Sequence, residues 1–204
     1  MKTRVCRLYG QGDIRVETEA VAAPGPGEVL LRMAAGGICG SDLHYYQDGG
    51  FGPIRVREPI ILGHEAAGTV EAVGEGVALE VGDRVALNPS RPCGHCHYCA
   101  EGKFQHCLAM RFNGSALRFP HEQGAFRDLM VVDAGQCVPI ASGTSFAKAA
   151  CAEPLAVCLH ACNRAGDLSG RRVLVTGAGP IGSLCVAVAA TAGAAEIVVT
   201  DLHD

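Results

Sequence analysis

Four cysteines occupy a short hydrophilic stretch, RPCGHCHYCAEGKFQHC, in the middle of the 204-residue chain. Cys93, Cys96, Cys99 and Cys107 follow the spacing C-x2-C-x2-C-x7-C. Thiolates separated by two residues can reach one tetrahedral ion from a tight turn, and a fourth thiolate from a short lobe completes the shell. Zn²⁺ prefers this arrangement, and a site filled by four sulfurs is structural because it leaves no position for a substrate. Two disulfides are the alternative.

The composition bears on that choice. The chain has 11 cysteines, and an odd number fits complete internal pairing poorly. Its start, MKTRVCRLYGQGDIRVE, lacks the apolar run of a secretory signal. No stretch approaches the roughly 20 apolar residues that span a bilayer. We therefore predict a cytoplasmic protein with reduced or metal-bound thiols and no membrane partner.

The charge pattern excludes another class of partner. The formal net charge is −4 and the basic residues form no run. Nucleic-acid binding depends on a basic surface, so we expect no nucleic-acid partner.

The pattern of apolar residues changes near residue 145. Short segments such as DIRVETEA and EVLLRMAA, bounded by glycine and proline, predict a domain resembling a β-barrel. SFAKAACAEPLAVCLHACNRAG then shows helical spacing, and we expect Pro154 to interrupt that helix. RRVLVTG, GPIGSLCVAVAATAGA and EIVVTD predict a strand, a helix and a strand. We place the domains at 1–147 and 148–204, and predict an α/β chain that is truncated, since two parallel strands leave a sheet open.

A glycine motif joins the first of these strands to its helix. Gly177-x-Gly179-x-x-Gly182 permits a tight turn, a close approach of backbone to a pyrophosphate, and close helix–strand packing. Pro180 and Ile181 complete the predicted nucleotide-binding loop. Asp201 ends the next strand, where a carboxylate would bond ribose hydroxyls and disfavour the 2′-phosphate of NADP. We therefore predict NAD rather than NADP, with a simple turn role as the alternative for Asp201.

Four further residues have the side chains of metal ligands. Cys39, His64, Glu65 and Glu153 are distant in sequence, and each also has an ordinary interpretation as a buried or solvated residue. Residue type alone leaves both interpretations open.

Taken together, GHEAAGTVEAVG, the cysteine lobe and GAGPIG resemble the zinc-dependent medium-chain dehydrogenase/reductase family. The motifs occur in the family's order and cover nearly the whole chain. The resemblance implies a GroES-like β-barrel-type domain, followed by the first part of a Rossmann NAD-binding domain. It also implies two zinc ions per chain, one catalytic and one structural, and a homo-oligomer, either dimer or tetramer.

The resemblance assigns roles to individual residues. Cys39, His64 and Glu65 match the catalytic zinc positions, and Glu153 stands where the polyol branch has Glu and the alcohol dehydrogenases have Cys. Whether Glu65 or Glu153 ligates the metal stays open. Asp42 matches a residue that accepts the ring N–H of the zinc-binding histidine. Ser41 and His44 match the family's proton relay. A helix cap is the alternative for Ser41 and Asp42.

The stretch between Ser41 and Glu65 further resembles the L-idonate 5-dehydrogenase subfamily. This implies hydride transfer to NAD from a secondary alcohol of a sugar acid, L-idonate giving 5-ketogluconate. A sorbitol- or xylitol-type polyol dehydrogenase is the first alternative, and a non-catalytic, zinc-stabilised domain is the second. We expect residues 1–204 alone to show negligible turnover. Four residues are candidates for the substrate side of the site, although packing is at least as good an account of each: Tyr45, Tyr46, Arg55 and Arg57.

Overall fold

The chain forms two compact units in the computed structural model, which describes residues 1–203. The first unit is Met1–Ala150 and the second begins at Cys151. This division lies three residues beyond the boundary that the change of pattern predicts.

The first unit is built mainly from short strands. Two-residue strands alternate with longer ones, as the glycine- and proline-rich sequence predicts. The strands are β1 (Lys2–Gly10), β2 (Asp13–Ala20), β3 (Glu28–Gly36), β4 (Gly50–Phe51), β5 (Ile54–Arg55), β6 (Ile60–Ile61), β7 (Ala66–Val73), β8 (Arg84–Leu87), β9 (Ser90–Arg91), β10 (Arg111–Phe112), β11 (Leu129–Asp133) and β12 (Cys137–Pro139).

Two antiparallel sheets contain most of these strands. One has the order β11-β3-β7-β8-β12 and the other the order β2-β1-β6. Val29 and Leu31 of β3 are fully buried and pack with Val70 of β7, Val85 of β8 and Val132 of β11. Each fully buried side chain of this kind stabilises the fold by about 1.5–3 kcal/mol. This core holds the ends of β3 and β7 in a fixed register.

Three short helices belong to the same unit: α1 (Gly40–Asp48), α2 (His97–Ala100) and α3 (Phe146–Ala150). The first follows β3 and the second lies inside the cysteine lobe. Gly49 ends α1 with φ of 67°, a left-handed conformation that glycine adopts without steric cost.

The second unit contains α4 (Ala152–Ala165), β13 (Arg172–Thr176), α5 (Pro180–Thr191) and β14 (Glu196–Thr200). The two strands are parallel, with Arg172 opposite Glu196 and Thr176 opposite Thr200. The predicted interruption at Pro154 is wrong, because the helix breaks at Cys151 instead. Pro154 lies in the first turn of α4, where the N–H that proline lacks would have no helical partner.

A β domain followed by a strand–helix–strand unit confirms the predicted α/β fold class. Within residues 1–203, no helix has both the length and the apolar character needed to cross a membrane.

Candidate metal and nucleotide sites

The register of two strands creates the first site. Gly36, the last residue of β3, lies opposite Ala66, the first residue of β7. Residues that follow β3 are therefore neighbours of residues that precede β7, and Gly37 N–H donates to the Glu65 carbonyl at 2.7 Å. The sheet itself brings Cys39 beside the His64–Glu65 pair.

Cys39, His64 and Glu65 each present a ligand atom, and these atoms lie within 4.8 Å of one another. His64 is buried, and the other two residues are partly buried. A thiol, an imidazole and a carboxylate at this spacing are a donor set that suits Zn²⁺. Three protein ligands also suit a catalytic site, because a fourth position stays open.

The carboxylate of Glu65 occupies space that only a glycine leaves free. A Cβ added at Gly37 would overlap Glu65 Oε2, and would lie 3.0 Å from its Cβ and 3.1 Å from its Cδ. Burial raises the pKa of Glu65, and the nearby Asp42 carboxylate raises it further. A cation bound among these groups would stabilise the ionised form of Glu65 and so offset both the burial and the repulsion by Asp42. In this respect the site fits a metal ion.

Asp42 is buried beneath the site and organises its backbone. One carboxylate oxygen accepts the N–H of Cys39 at 2.9 Å and the other accepts the N–H of Gly63 at 3.2 Å. The sequence predicts instead that Asp42 accepts the ring N–H of His64. The Asp42 Oδ1–His64 Nδ1 distance is 3.9 Å, which is too long for a hydrogen bond. Asp42 thus holds both ligand-bearing segments through their main chains.

Close backbone packing fixes the segment before His64. A Cβ at Gly114 would lie 2.7 Å from the carbonyl oxygen of Gly63, and one at Gly124 would overlap the same oxygen. The ring of Phe112 lies 5.5 Å from that of His64, centroid to centroid. These supports cannot be predicted from the sequence, because contacts between glycines far apart in the chain leave no local pattern.

The two residues predicted to relay a proton both lie in α1. Cys39 is the residue that caps this helix, so Ser41 stands inside the first turn rather than at the cap. His44 is exposed, and its Nδ1 lies 3.0 Å from Asp48 Oδ2.

The four substrate-side candidates have different surroundings. Tyr45 is only 2% exposed and its hydroxyl accepts the N–H of Ala116, so it is a core residue. Tyr46 and Arg55 are exposed, and the guanidinium of Arg57 lies over the ring of Phe119.

The four cysteines of the lobe converge on a second site. The Cys96–Cys99 and Cys93–Cys99 sulfur separations are 3.6 and 4.0 Å. Tetrahedral zinc with Zn–S bonds of about 2.3 Å has sulfur–sulfur edges of about 3.8 Å. A disulfide would need about 2.05 Å, and all 11 cysteines are free. The lobe therefore fits a metal ion and not a pair of disulfides.

Backbone N–H groups of the lobe donate hydrogen bonds to two of the cysteine sulfurs and favour their thiolate form. Donors at Leu108 and Cys99 lower the pKa of Cys96 to about 6, and the N–H of Cys93 lowers the pKa of Cys107. Burial first, and then the neighbouring thiols, raise the pKa of Cys99 to about 12. Four thiolates at this spacing repel one another until a metal ion compensates them. His95, His97 and His106 are exposed and lie outside the cluster.

The glycine loop of the second unit joins β13 to α5. Gly177 has φ of 94°, and a Cβ at Gly182 would overlap the Gly177 carbonyl oxygen and lie 2.8 Å from its carbon. A Cβ at Gly179 would meet nothing within 4 Å, so the backbone there is open to a ligand. Pro180 is the first residue of α5 and Ile181 the second. Phosphate groups bind readily at such a helix N-terminus.

Asp201 follows β14 and contacts this loop. Its Oδ2 accepts the N–H of Ala178 at 2.6 Å, while Oδ1 accepts the N–H groups of Leu202 and His203. These bonds, that of Ala178 first, lower the pKa of Asp201 and keep it ionised. Glu153 lies in the first turn of α4, in the second unit.

The sites have counterparts in known proteins. Residues 25–142 match the family described as the alcohol dehydrogenase GroES-like domain. L-idonate 5-dehydrogenase (NAD(P)(+)) of Escherichia coli is 45% identical over 99% of this chain and 58% of its own length. Its crystal structure superposes with a TM-score of 0.92, covering 98% of this chain and 57% of that one.

A second relative belongs to the polyol enzymes. Human sorbitol dehydrogenase is 43% identical over 96% of this chain and 54% of its own length. A zinc-binding dehydrogenase of Sinorhizobium meliloti, solved with NADP, is 32% identical with a TM-score of 0.86, covering 98% and 56% of the two chains. The chain thus spans little more than half the length of these relatives. It belongs to the zinc-dependent medium-chain dehydrogenase/reductase family, as the order of its motifs predicts.

Proposed function

We propose that this chain carries the metal-binding part and the start of the nucleotide-binding part of a zinc-dependent dehydrogenase. The enzyme would transfer a hydride from a secondary alcohol of a sugar acid to NAD, with L-idonate as the first candidate. The observation that carries the proposal is the convergence of Cys39, His64 and Glu65 within 4.8 Å. The 45% identity to L-idonate 5-dehydrogenase supports the choice of substrate.

Two groups of residues would hold zinc. The four cysteines of the lobe would bind a structural ion, and Cys39, His64 and Glu65 would bind a catalytic one. Glu153 is the alternative carboxylate ligand that the family resemblance implies. When bound, a catalytic zinc ion acts as a Lewis acid that makes a substrate hydroxyl more acidic.

The residues around the metal would position it and move a proton. Asp42 would keep the Cys39 and Gly63 backbones at a fixed separation through its two hydrogen bonds. Ser41 would accept the proton that the substrate hydroxyl loses, and His44 would pass it to water. The exposed ring of His44, held by Asp48, is suited to that exchange with solvent.

The nucleotide would lie on the glycine loop. The open backbone at Gly179 and the N-terminus of α5 would receive the pyrophosphate. Asp201 would accept the ribose hydroxyls while it stays bonded to Ala178. Its ionised carboxylate would repel a 2′-phosphate, which supports NAD over NADP. The protein would work as a dimer or tetramer in the cytoplasm.

Sorbitol or xylitol is the second candidate substrate. Human sorbitol dehydrogenase is only two percentage points less identical to this chain than L-idonate 5-dehydrogenase is. The metal positions would be the same for either substrate, and only the pocket would differ.

A substrate panel tests the proposal. The complete product of the gene would be assayed with L-idonate, sorbitol, xylitol and a simple secondary alcohol, each with NAD and with NADP. We expect the highest kcat/KM for L-idonate with NAD. Equal rates for all four alcohols would remove the sugar-acid assignment, and no turnover of any of them by zinc-loaded protein would favour a non-catalytic, zinc-stabilised domain.

A further inference from the structure

His121 is a buried histidine that belongs to neither the zinc sites nor the nucleotide loop. It is only 5% exposed, and both of its ring nitrogens lie close to backbone groups. Nδ1 is 2.8 Å from the carbonyl oxygen of Arg118, and Nε2 is 2.9 Å from the backbone nitrogen of Arg57. The ring therefore joins two segments of the first unit that are 64 residues apart in sequence.

These two partners fix the charge of the ring. A carbonyl oxygen can only accept a hydrogen bond, so Nδ1 of His121 carries a proton. A backbone N–H can only donate one, so Nε2 carries none, and both bonds exist only in the neutral Nδ1–H form. A second proton would turn an N–H of the ring toward the N–H of Arg57. Two buried donors would then face each other without an acceptor, which is unfavourable.

The charged groups around the ring come from several elements and have both signs. The guanidinium of Arg57 lies over the ring of Phe119, which meets the His121 ring edge to face at 5.8 Å. The carboxylate of Glu58 accepts the backbone N–H of His121. The cavity that His121 lines holds four more charged groups, and each arginine among them has a carboxylate no more than 3.9 Å away: Arg91, Arg111, Glu122 and Arg127. The two ring hydrogen bonds, rather than an excess of charge, therefore select the neutral form.

The two segments that the ring joins continue side by side toward the zinc-binding residues. Backbone hydrogen bonds link residues 61–63 to residues 124–126. In one of them the carbonyl of Gly63 accepts the N–H of Ala125 at 2.8 Å. Gly63 directly precedes His64, so one hydrogen-bonded ladder runs from the imidazole contact to the candidate zinc ligand.

We propose that His121 is a positioning residue for the Cys39–His64–Glu65 site and that it acts only while its ring is neutral. The neutral ring would hold the start of the ladder, and protonation would release the N–H of Arg57 and loosen the segment that leads to His64. Histidine ordinarily changes charge between pH 5 and 8, so mild acid would be enough. Zinc binding at this site is part of the proposed function, on which this role of His121 rests.

Hydrogen exchange of the full, zinc-loaded chain tests the proposal. Mass spectrometry of peptides that cover residues 57–63 would give protection factors at pH 7.5 and pH 5.5, corrected for the intrinsic effect of pH. Protection in the unaltered protein should fall about two- to tenfold at the lower pH, which is the effect of one neutral hydrogen bond. In His121→Gln it should not fall in this way, because an amide oxygen can accept the Arg57 N–H and cannot be protonated.

A matched control separates this effect from general effects of acid. His160→Gln makes the same substitution at an exposed position of α4, in the second unit, and should behave like the unaltered protein. Loss of zinc at the lower pH would affect all three proteins alike. An equal fall in protection in the unaltered protein and in His121→Gln would overturn the proposal.

Zinc affinity connects the ring to the metal site. At pH 7.5 His121→Leu, which lacks both ring hydrogen bonds, should weaken zinc binding at the Cys39–His64–Glu65 site about two- to tenfold, and His121→Gln should restore it. Unchanged affinity in a folded His121→Leu would overturn the positioning role, and if that variant fails to fold, the exchange comparison still decides. Absence of zinc from this site in the unaltered protein would instead count against the proposed function.

Discussion

Replacement of Gly37 by alanine should damage the Cys39–His64–Glu65 site without touching any of its ligands. The added Cβ would lie 3.0 and 3.1 Å from two carbons of Glu65, where ordinary contacts between carbon atoms are about 3.5–4.0 Å, and would overlap its Oε2. The Glu65 side chain must then leave its rotamer, at about 0.5–1.5 kcal/mol, or the backbone must shift. We expect zinc affinity at this site to fall about 10- to 100-fold, the usual effect of disturbing a ligand's support.

Competition with a chromophoric zinc chelator measures this loss. The four-cysteine lobe of the same molecule is an internal reference, since it is a separate group of ligands and the atoms nearest to the added Cβ at Gly37 all belong to Glu65, so the lobe should keep its affinity. Gly40→Ala is the matched control, because a Cβ there meets nothing within 4 Å and Gly40 is the first residue of α1. Native zinc affinity at both sites in Gly37→Ala would refute the reasoning that Glu65 must occupy this position.

Three further outcomes are expected. Burial raises the pKa of Glu65, so the stability of the zinc-free chain should fall as pH rises through that pKa. Glu65→Gln should therefore raise the melting temperature of the zinc-free protein at pH 7, and it should also lower the zinc affinity. An unchanged melting temperature would argue against a buried charge. Gly182→Ala should destabilise the second unit, because its Cβ meets a rigid backbone carbonyl, whereas Gly179→Ala should fold normally and lose nucleotide binding. Circular dichroism measures the loss of structure and NAD titration measures the loss of binding. Equal behaviour of the two variants would contradict these separate roles of Gly182 and Gly179. Zinc binding to the lobe should release protons at pH 7, because Cys99, with a pKa of about 12, must lose its proton to bind the metal, whereas Cys96, with a pKa of about 6, is already largely ionised. Calorimetry in buffers of different ionisation enthalpy counts the released protons. A count of zero would contradict binding by thiolates.

Local patterns account for most of what the sequence predicts well. DIRVETEA coincides with β2, and the run GPIGSLCVAVAATAGA contains α5. Such segments are specified by alternation or by helical spacing within a few residues. The four cysteines are equally local, because their spacing alone allows them to reach one ion.

Other features depend on contacts between distant parts of the chain. The sequence cannot reveal that Gly36 lies opposite Ala66, and this register is what brings Cys39 to Glu65. The family resemblance implies a hydrogen bond between Asp42 and His64, but Asp42 accepts the backbone N–H groups of Cys39 and Gly63 instead.

The position of the helix break departs from the prediction for a different reason. Proline is read from sequence as a breaker, yet Pro154 falls where a helix tolerates it. Cys151, which carries no breaking signal of its own, separates α3 from α4.

X-ray absorption at the zinc edge, with metal quantified per chain, tests whether Cys39, His64 and Glu65 bind a zinc ion separate from that of the four cysteines. We expect two zinc ions: one bound by four sulfurs at about 2.3 Å, the other by one sulfur with nitrogen and oxygen ligands. Cys39→Ser should remove the sulfur signal of the second ion alone. A single zinc ion with four sulfurs, unchanged by Cys39→Ser, would show that Cys39, His64 and Glu65 bind no zinc.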